Sequence, residues 1–245
     1  MSTRLRLGLF AVGAAGLAAL LAWGLAGLPD FGQYPGPYGD VINRAVVGER
    51  HVTSAIAAVV FEYRGFDTLG EEFILFAAAA GVALLLREAR EEEATLRDLV
   101  AVEPVRAVGL TAVGPVVLLG LYLVTFGYVT PGGGFQGGVV LAGGLVLVWA
   151  AGSYRAYRKV SPTRLVDFAE GVGAGTLPFL GLAVLVSGGA FLENLLPLGT
   201  AGSLLGGGTI PILNWAAAIA VAAAVVLIVA EFLEELAVPV AQAKK

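Results

Sequence analysis

The chain has 245 residues, of which 58% are hydrophobic and only 14% are charged, and its mean hydropathy is +0.85. Soluble domains carry about 25% charged residues, so this composition indicates an integral membrane protein. The lack of cysteine excludes disulfides and thiolate metal sites, and the formal net charge of -4 leaves no basic patch for nucleic acid.

The first predicted element is a membrane-spanning helix over Leu7 to Leu28, an uncharged stretch that follows Arg4 and Arg6. Basic residues before an apolar run also occur in secretory signal peptides, which is the alternative. The stretch is longer than the apolar region of a typical signal peptide, and further apolar segments follow it. We therefore expect a retained transmembrane helix.

Two apolar segments of unequal length come next. Val52 to Phe61 is only ten residues long, which suits a short re-entrant, interfacial or packed helix better than a full crossing. Phe73 to Leu86 is an uncharged run of fourteen residues, below the usual span of about 20. A second crossing therefore has to include Thr68 to Glu72, and we expect its acidic end to lie within the membrane.

Four further crossings are predicted in the second half of the chain. Ala107 to Tyr154 contains no charged residue and is long enough for two helices of about 20 residues each. The sequence TPGGG lies between them, because proline followed by glycines ends a helix. Gly171 to Leu192 and Ile212 to Ala230 each suffice for one more helix. The predicted fold is an all-α integral membrane protein with about six transmembrane helices and a short re-entrant or interfacial helix after the first.

The basic residues predict the orientation of these helices. With a cytoplasmic N-terminus, twelve of the 15 Lys and Arg residues fall in inner segments, and only Arg44, Arg50 and Arg64 fall in outer ones. Such an excess of Lys and Arg on the cytoplasmic side is the rule for membrane proteins. We expect both termini in the cytoplasm, the TPGGG turn on the outer side, and a multi-pass protein of the cell membrane.

A charged run separates two predicted modules. The sequence REAREEEATLRDLVAVEPVR is typical of a solvated cytoplasmic helix that ends near Pro104, with a partner-docking surface as the alternative. We assign residues 1–92 to a two-helix module, residues 93–106 to a charged cytoplasmic linker, and residues 107–245 to a four-helix module.

Charged residues concentrate at the start of the second predicted crossing. The cluster consists of Glu62, Arg64, Asp67, Glu71 and Glu72. Asp67 and Glu71 stand at i and i+4 and share one helix face, with Arg64 as the local counter-ion. A carboxylate at membrane depth is costly unless it is paired or serves ion movement. Two interpretations of the cluster therefore stay open: an interfacial salt-bridge network and an ion route. If it is an ion route, Glu71 is the favoured titrating or cation-contacting group.

His51, the only histidine in the chain, stands at the edge of the Val52 to Phe61 run. Histidine can exchange protons near neutral pH, so His51 is a candidate proton donor, with an interfacial cap as the alternative. One histidine and no cysteine leave little scope for a zinc or haem site. We expect no metal and no cofactor.

The turn between the third and fourth predicted helices is the second candidate motif. Its nine residues are Thr130, Pro131, Gly132, Gly133, Gly134, Phe135, Gln136, Gly137 and Gly138. Gly134 and Gly138 have the GxxxG spacing that permits close helix packing. Irregular backbone at membrane depth is tolerated only where protein or a water-filled cavity covers it. Packing or subunit contact is therefore one interpretation, and direct cation coordination by oxygens of the turn is the other.

The last four predicted crossings lack ionisable side chains other than tyrosine. No Asp, Glu, Lys, Arg or His lies in the runs from Ala107 to Tyr154, Gly171 to Leu192 or Ile212 to Ala230. Such helices cannot relay protons by themselves. The second glycine-rich segment, residues 199–211, is expected to be a flexible external connection.

Both motifs resemble those of a known family of transport proteins. Residues 34–72, which end in RGFDTLGEE, resemble the C-terminal part of the large A subunit of Mrp-type cation/proton antiporters. In related membrane-bound hydrogenases that segment is a separate small subunit, and this part of the chain is MbhE-like. Residues 127–144, GYVTPGGGFQGGVVLAGG, look like the signature of the B subunit, MrpB or MnhB. The resemblance covers residues 34–90 and 100–235.

The resemblance implies an accessory subunit of a multi-subunit complex that exchanges cytoplasmic Na+ for protons. Matched residue by residue, the first motif is Arg64, Gly65, Phe66, Asp67, Thr68, Leu69, Gly70 and Glu71, and the second runs from Thr130 to Gly138. The implied partners are subunits like A, C, D, E, F and G, together with Na+, H+ and membrane lipid.

This chain departs from the family arrangement in two ways. It joins the two modules, and it lacks the large proton-translocating helices of the A subunit, so the main proton path is expected in its partners. A transporter subunit rather than an enzyme is implied. Two alternatives stay open: a membrane-arm subunit of a complex I-related ion-translocating hydrogenase or oxidoreductase, and a purely structural assembly subunit.

Overall fold

The structure, a computed structural model, describes residues 3–28, 32, 36–88 and 102–235, and the regular elements in these ranges are helical. The helices are α1 (Thr3–Ala26), α2 (Pro37–Arg50), α3 (Ala55–Ala58), α4 (Gly65–Glu88), α5 (Glu103–Phe126), α6 (Gly134–Leu147), α7 (Tyr154–Val160), α8 (Thr163–Val186) and α9 (Ile210–Glu235). Two π-helical segments, Val59–Tyr63 and Val148–Gly152, continue α3 and α6.

Six helices in the described ranges are long and apolar enough to cross a membrane: α1, α4, α5, α6 with its π-helical segment, α8 and α9. The predicted all-α class and the number of crossings are thereby confirmed. Helix α4 reaches the required length by including Thr68 to Glu72, as the shortness of its apolar run predicts. The apolar segment before it forms α3 and the first π-helical segment, which pack against α9.

The last two crossings are longer than the apolar runs that predict them. Helix α8 begins at Thr163 rather than Gly171, and α9 continues to Glu235 rather than ending at Ala230. Charged residues such as glutamate have good helix propensity, so a helix can continue past the end of its apolar run. The expectation that these helices lack ionisable side chains is therefore wrong at their ends. The acids with described side chains in these ends are Asp167, Glu170, Glu231 and Glu234.

The chain divides into two compact units, residues 1–41 and 42–245. In the first unit, α1 is an apolar helix without buried residues. The second unit contains α3 to α9 and the C-terminal part of α2, and within it α4 packs against α9. Residues 93–101 of the predicted linker lie outside the described residues, and residues 103–106 form the first turn of α5.

Helix α9 is the centre of the second unit. It packs against α4, α6 and α8, and 61% of its most apolar stretch is buried, against 17% for α4 and 11% for α5. Half of its buried residues with described side chains are alanines: Ala216, Ala217, Ala218, Ala220, Ala223, Ala224 and Ala230. Small side chains let membrane helices approach closely, which matters because lipid provides no hydrophobic drive for helix association. Helix α9 therefore positions α4 and α6 in one packed unit.

Hydrogen bonds hold the connection between α8 and α9 in place. The flexible connection that its glycine-rich sequence predicts is therefore not what the structure has. The Asn194 carboxamide accepts a hydrogen bond from the backbone N–H of Thr209 at 3.0 Å and donates one to the Gly207 carbonyl at 3.0 Å. The Tyr128 hydroxyl donates to the Leu204 carbonyl at 2.7 Å. These bonds fix the connection over the outer predicted end of the bundle.

Candidate functional site

A cavity of about 640 Å³ lies inside the second unit, between α3, α4, the turn that precedes α6, and α9. Most of the side chains that line it are apolar. The polar ones are Thr68, Glu71, Glu72, Gln136 and Asn214, and the backbone of Gly132 to Gly134 forms part of the wall. The cavity therefore brings the RGFDTLGEE motif and the TPGGGFQGG turn to one place.

Helix α4 presents two faces of the acidic motif. Thr68 and Glu72, which are four residues apart, are both buried and line the cavity. Asp67 and Glu71, also four residues apart, lie on an exposed face, as the i, i+4 spacing predicts. Glu71 is exposed and still lines the cavity, so it lies at the rim.

Glu72 is the buried acid of this cavity, although sequence reasoning favoured its neighbour Glu71. It is 5% exposed, and neither of its carboxylate oxygens has a hydrogen-bond partner among the described residues. A buried polar group without a partner costs about 1–3 kcal/mol, and more when it is charged. Consecutive helix residues point about 100° apart, so the packing of α4 decides which of the two acids faces inward.

The predicted counter-ion of the acidic motif lies outside the cavity. Arg64 forms an ion pair with Asp67, and the two side chains are 59% and 52% exposed. Ion pairs this exposed contribute about 0–1 kcal/mol. The pair fits a surface salt bridge at the start of α4, and a role for Arg64 and Asp67 in an ion route stays a prediction.

Asn214 on α9 holds the glycine turn in place. Its carboxamide oxygen accepts a hydrogen bond from the Gly134 N–H at 2.7 Å, and its Nδ2 donates to the Val124 carbonyl at 2.5 Å. The side chain is fully buried, so these bonds satisfy backbone groups that have no access to water. Sequence reasoning missed this residue, and the signal that could have found it is a carboxamide in an otherwise apolar crossing.

The glycines of the turn allow close approach of α6 to its neighbours. A Cβ atom on Gly138 would lie 2.7 Å from the Ala218 carbonyl oxygen of α9, and one on Gly137 would lie 2.9 Å from the Gly120 carbonyl oxygen of α5. The GxxxG spacing therefore does serve packing within this chain. Docking of the turn against other subunits and direct cation coordination both stay predictions. In the described ranges, no group of three His, Asp or Glu side chains could hold a metal ion.

Glu62 belongs to a different cluster, outside the cavity wall. Its carboxylate pairs with Arg50 Nε at 2.8 Å and accepts a hydrogen bond from Asn194, and its side chain is 4% exposed. Burial raises the pKa of the Glu62 carboxyl, and the Asn194 hydrogen bond and the Arg50 charge lower it less than burial raises it. The cluster connects α2, the first π-helical segment and the α8–α9 connection.

His51 lies at the end of α2, next to the same connection. Its Nδ1 and the Gly199 carbonyl oxygen are 2.5 Å apart, which is a hydrogen bond if Nδ1 carries the proton. Its backbone has a φ of 53°, in the left-handed region that few residues other than glycine adopt. This geometry fits the interfacial cap better than a proton donor to the cavity, whose wall does not include His51.

A second group of acids lies at the opposite end of the bundle. Glu170 of α8 and Glu231 of α9 are 5% and 4% exposed. Nearby, Glu234 accepts a hydrogen bond from the Tyr154 hydroxyl and lies 3.6 Å from Arg158. These acids lie beyond the uncharged runs of the sequence, so a search limited to those runs cannot find them.

A family comparison identifies the second half of the chain. Residues 104–227 match the family described as a domain related to the MnhB subunit of Na+/H+ antiporter. The match extends from the start of α5 into α9 and includes both the glycine turn and Asn214.

Two curated proteins are similar to the chain. An uncharacterized protein of Methanocaldococcus jannaschii is 28% identical over 173 residues, which cover 62% of this chain and 64% of that protein. A probable K(+)/H(+) antiporter A/B subunit of Rhizobium meliloti is 30% identical over 203 residues, which cover 70% of this chain and 20% of that protein. The chain therefore spans less than two thirds of the length of either relative.

Two solved structures have the same fold. A chain of the membrane-bound sulfane sulfur reductase, an archaeal respiratory membrane complex, has a TM-score of 0.71 and 32% identity, covering 94% of this chain and 98% of that one. A chain of the Mrp complex from a Dietzia species has a TM-score of 0.68 and 22% identity, covering 94% and 26%. By its matched domain, its motifs and this fold, the chain is a multi-pass membrane protein that belongs to the family of the MnhB subunit of Na+/H+ antiporters.

Proposed function

We propose that the chain is an accessory subunit of a multi-subunit Mrp-type cation/proton antiporter complex of the cell membrane, and is not itself an enzyme. Its partners are other Mrp subunits, like A, C, D, E, F and G, and the exchanged ions are Na+ and H+. The MnhB-related domain over residues 104–227 supports this assignment. Exchange assays with Na+ and with K+ test this choice of cation, because one relative is named for K(+)/H(+) exchange.

The cavity is the observation that carries the proposal. It is lined by residues of both motifs, which are separated by about sixty positions in the sequence, and its wall includes Glu71 and Glu72. Carboxylates in a membrane-spanning helix are costly, and they commonly mark a route for ions or protons. A packing role alone would be served equally well by apolar residues at these positions.

The rim of the cavity supports a position at a subunit boundary. Glu71, Phe135 and Gln136 line the cavity and are exposed on the surface of this chain. Glu71 lies in the second turn of a membrane-spanning helix, and lipid is a poor environment for a carboxylate there. A neighbouring subunit that covers this rim would remove the cost and would continue the ion route from Arg64, Asp67 and Glu71.

A second candidate function is supported by the similarity to the sulfane sulfur reductase chain, which extends over 98% of that chain. In that case the protein would be a membrane-arm subunit of an ion-translocating respiratory complex. Isolation of the chain with its native partners distinguishes the two. A redox subunit in the purified complex favours the respiratory arm, whereas a full set of Mrp subunits without one favours the antiporter.

The test of the first function is Glu71→Gln in the assembled complex. We expect cation-dependent proton exchange in membrane vesicles, followed with a pH-sensitive dye, to fall about tenfold or more, because the variant removes a charge at the rim without changing the shape of the side chain. The amount of assembled complex is measured in the same membranes.

The matched control is Glu103→Gln, which removes an exposed acid from the first turn of α5, away from the cavity wall. We expect exchange by this variant to equal that of the wild type. Unchanged exchange and assembly in Glu71→Gln would reject a role for that acid, and loss of assembly alone would support a purely structural role for the chain.

A further inference from the structure

Glu72 stands one residue after Glu71, the acid that the sequence favours for ion contact, and it is the acid that is buried in the cavity. We propose that Glu72 is a proton-binding group, which holds a proton inside the cavity and exchanges it through the rim formed by Glu71, Phe135 and Gln136. The destination of the proton beyond this rim rests on the proposed function.

The first support is the state of the carboxylate itself. Glu72 is 5% exposed, and both of its oxygens lack a hydrogen-bond partner among the residues that the structure describes. An ionised carboxylate in such a place needs a counter-charge or several donors. A protonated carboxyl group is neutral, so it needs no counter-charge and costs less to bury than the ionised form, which makes a proton the simplest occupant.

The second support is the set of groups that face Glu72. The cavity wall from α3 and its π-helical segment contributes Ile56, Ala57, Val60 and Phe61, and the wall from α9 contributes Asn214, Ala217 and Val221. None of these side chains is titratable. The turn contributes Gln136 and glycine backbone, and among the residues that the structure describes the one other titratable lining residue is Glu71 on the same helix. A second negative charge beside Glu72 favours binding of a proton.

The third support is the space. A cavity of about 640 Å³ is much larger than the roughly 30 Å³ that one water molecule occupies in the liquid. Water requires polar partners in a cavity, and Thr68 and Gln136 provide them next to the two acids. Water in a cavity of this kind would bring a proton next to the buried Glu72 side chain.

The direction of access follows from the packing beyond the cavity. Further along the same two helices, α4 and α9 meet in a cluster formed by Ala79, Ala83, Ala224 and Leu227. This cluster consists of apolar side chains and provides no group that could pass a proton along the α4–α9 contact. The exposed rim residues are therefore the route for exchange within the described part of the chain, and a partner subunit has to continue it.

The test uses dicyclohexylcarbodiimide, a lipid-soluble reagent that adds to protonated carboxyl groups, on native membranes that contain the complete complex. Peptide mass spectrometry then locates the adduct. We expect an adduct on Glu72 in mildly acidic buffer, and a yield that falls by about tenfold per pH unit once the group is mostly ionised. Glu72→Gln removes the adduct, and Glu71→Gln retains it on Glu72.

The wild-type labelling alone keeps the proposal open to refutation if Glu72→Gln fails to assemble. Absence of an adduct on Glu72 at every pH would overturn the proposal. It would indicate that a cationic group of a partner keeps the Glu72 carboxylate ionised. A yield that does not change with pH would overturn it as well. Labelling without cation/proton exchange by the same complex would contradict the proposed function only, and exchange without labelling would contradict only the role of Glu72.

Discussion

At the scale of single residues, Asn214 and Glu62 each connect elements that are far apart in the sequence. Asn214 links α9 to the end of α5 and the start of α6 through two hydrogen bonds. Glu62 links α2 to the α8–α9 connection through Arg50 and Asn194. Buried polar side chains are tolerated when their partners are present, so both residues add specificity to a unit that is otherwise packed by small apolar side chains.

The buried Glu62 carboxyl predicts a pH dependence of stability. Its pKa in the folded protein is raised above the ordinary glutamate value of 4.5, so the folded state binds a proton that the unfolded state releases. This contribution to stability is fully present below pH 4.5 and is lost as the pH rises through the folded pKa. Glu62→Gln has no carboxyl group to titrate, so it does not lose this contribution. We therefore expect the thermal midpoint of the variant minus that of the wild type to increase as the pH rises from below 4.5.

The control for this measurement is Glu49→Gln, which removes a nearby exposed acid that accepts a hydrogen bond from the Tyr63 hydroxyl at 2.7 Å. It reports the effect of losing one negative charge from the same region. A relative midpoint for Glu62→Gln that falls with rising pH would mean that Arg50 and Asn194 outweigh the cost of burial.

At the scale of elements, helix α6 is held between α5 and α9 by glycines on two of its faces. Gly138 faces Ala218 and Val221 of α9, whereas Gly143 has nothing within 4 Å of the position of a Cβ atom. The same helix therefore offers one glycine that packing requires and one that it does not.

Alanine substitution separates these two glycines. Gly138→Ala would place a methyl group 2.7 Å from the Ala218 carbonyl oxygen, and overpacking of this kind costs about 1–3 kcal/mol. Gly143→Ala meets no neighbour, and alanine improves helix propensity by about 1 kcal/mol. We expect a lower thermal midpoint of the purified protein for the first variant and an equal or higher one for the second. Equal effects would show that α6 does not pack on α9 in this way.

At the scale of the whole molecule, the sequence predicts an orientation in the membrane. The distribution of basic residues predicts that the α8–α9 connection lies outside and that α7 lies on the cytoplasmic side. Both regions offer exposed residues, Leu205 in the connection and Lys159 in α7.

The absence of cysteine makes this orientation simple to test. Leu205→Cys and Lys159→Cys each introduce a single thiol into a chain that has none. We expect a membrane-impermeant maleimide to label Leu205→Cys in intact cells and Lys159→Cys only after permeabilisation. The unmodified chain is the control for background labelling, and the reverse pattern would invert the predicted topology.

Much of the site could be predicted from the sequence, but the side chains inside it could not. The acidic motif and the glycine turn were both recognisable, because each is a run of consecutive residues. The sequence did not single out Asn214 and Glu72 as site residues. Whether each side chain lines the cavity depends on which faces of α9 and α4 point inward. The acids Glu170 and Glu231 were missed because uncharged runs underestimate the length of α8 and α9.

The sequence by itself determined the membrane class, the six crossings, the position of the turn and the family resemblance. These properties depend on local hydropathy and on consecutive residues, and so they do not require knowledge of packing. Only the tertiary structure decided that both motifs line one cavity and that Glu72, rather than Glu71, is buried in it. The physical reason is that α4 is apolar around most of its circumference, so the contact with α9, and not a pattern in the sequence, selects its inward face.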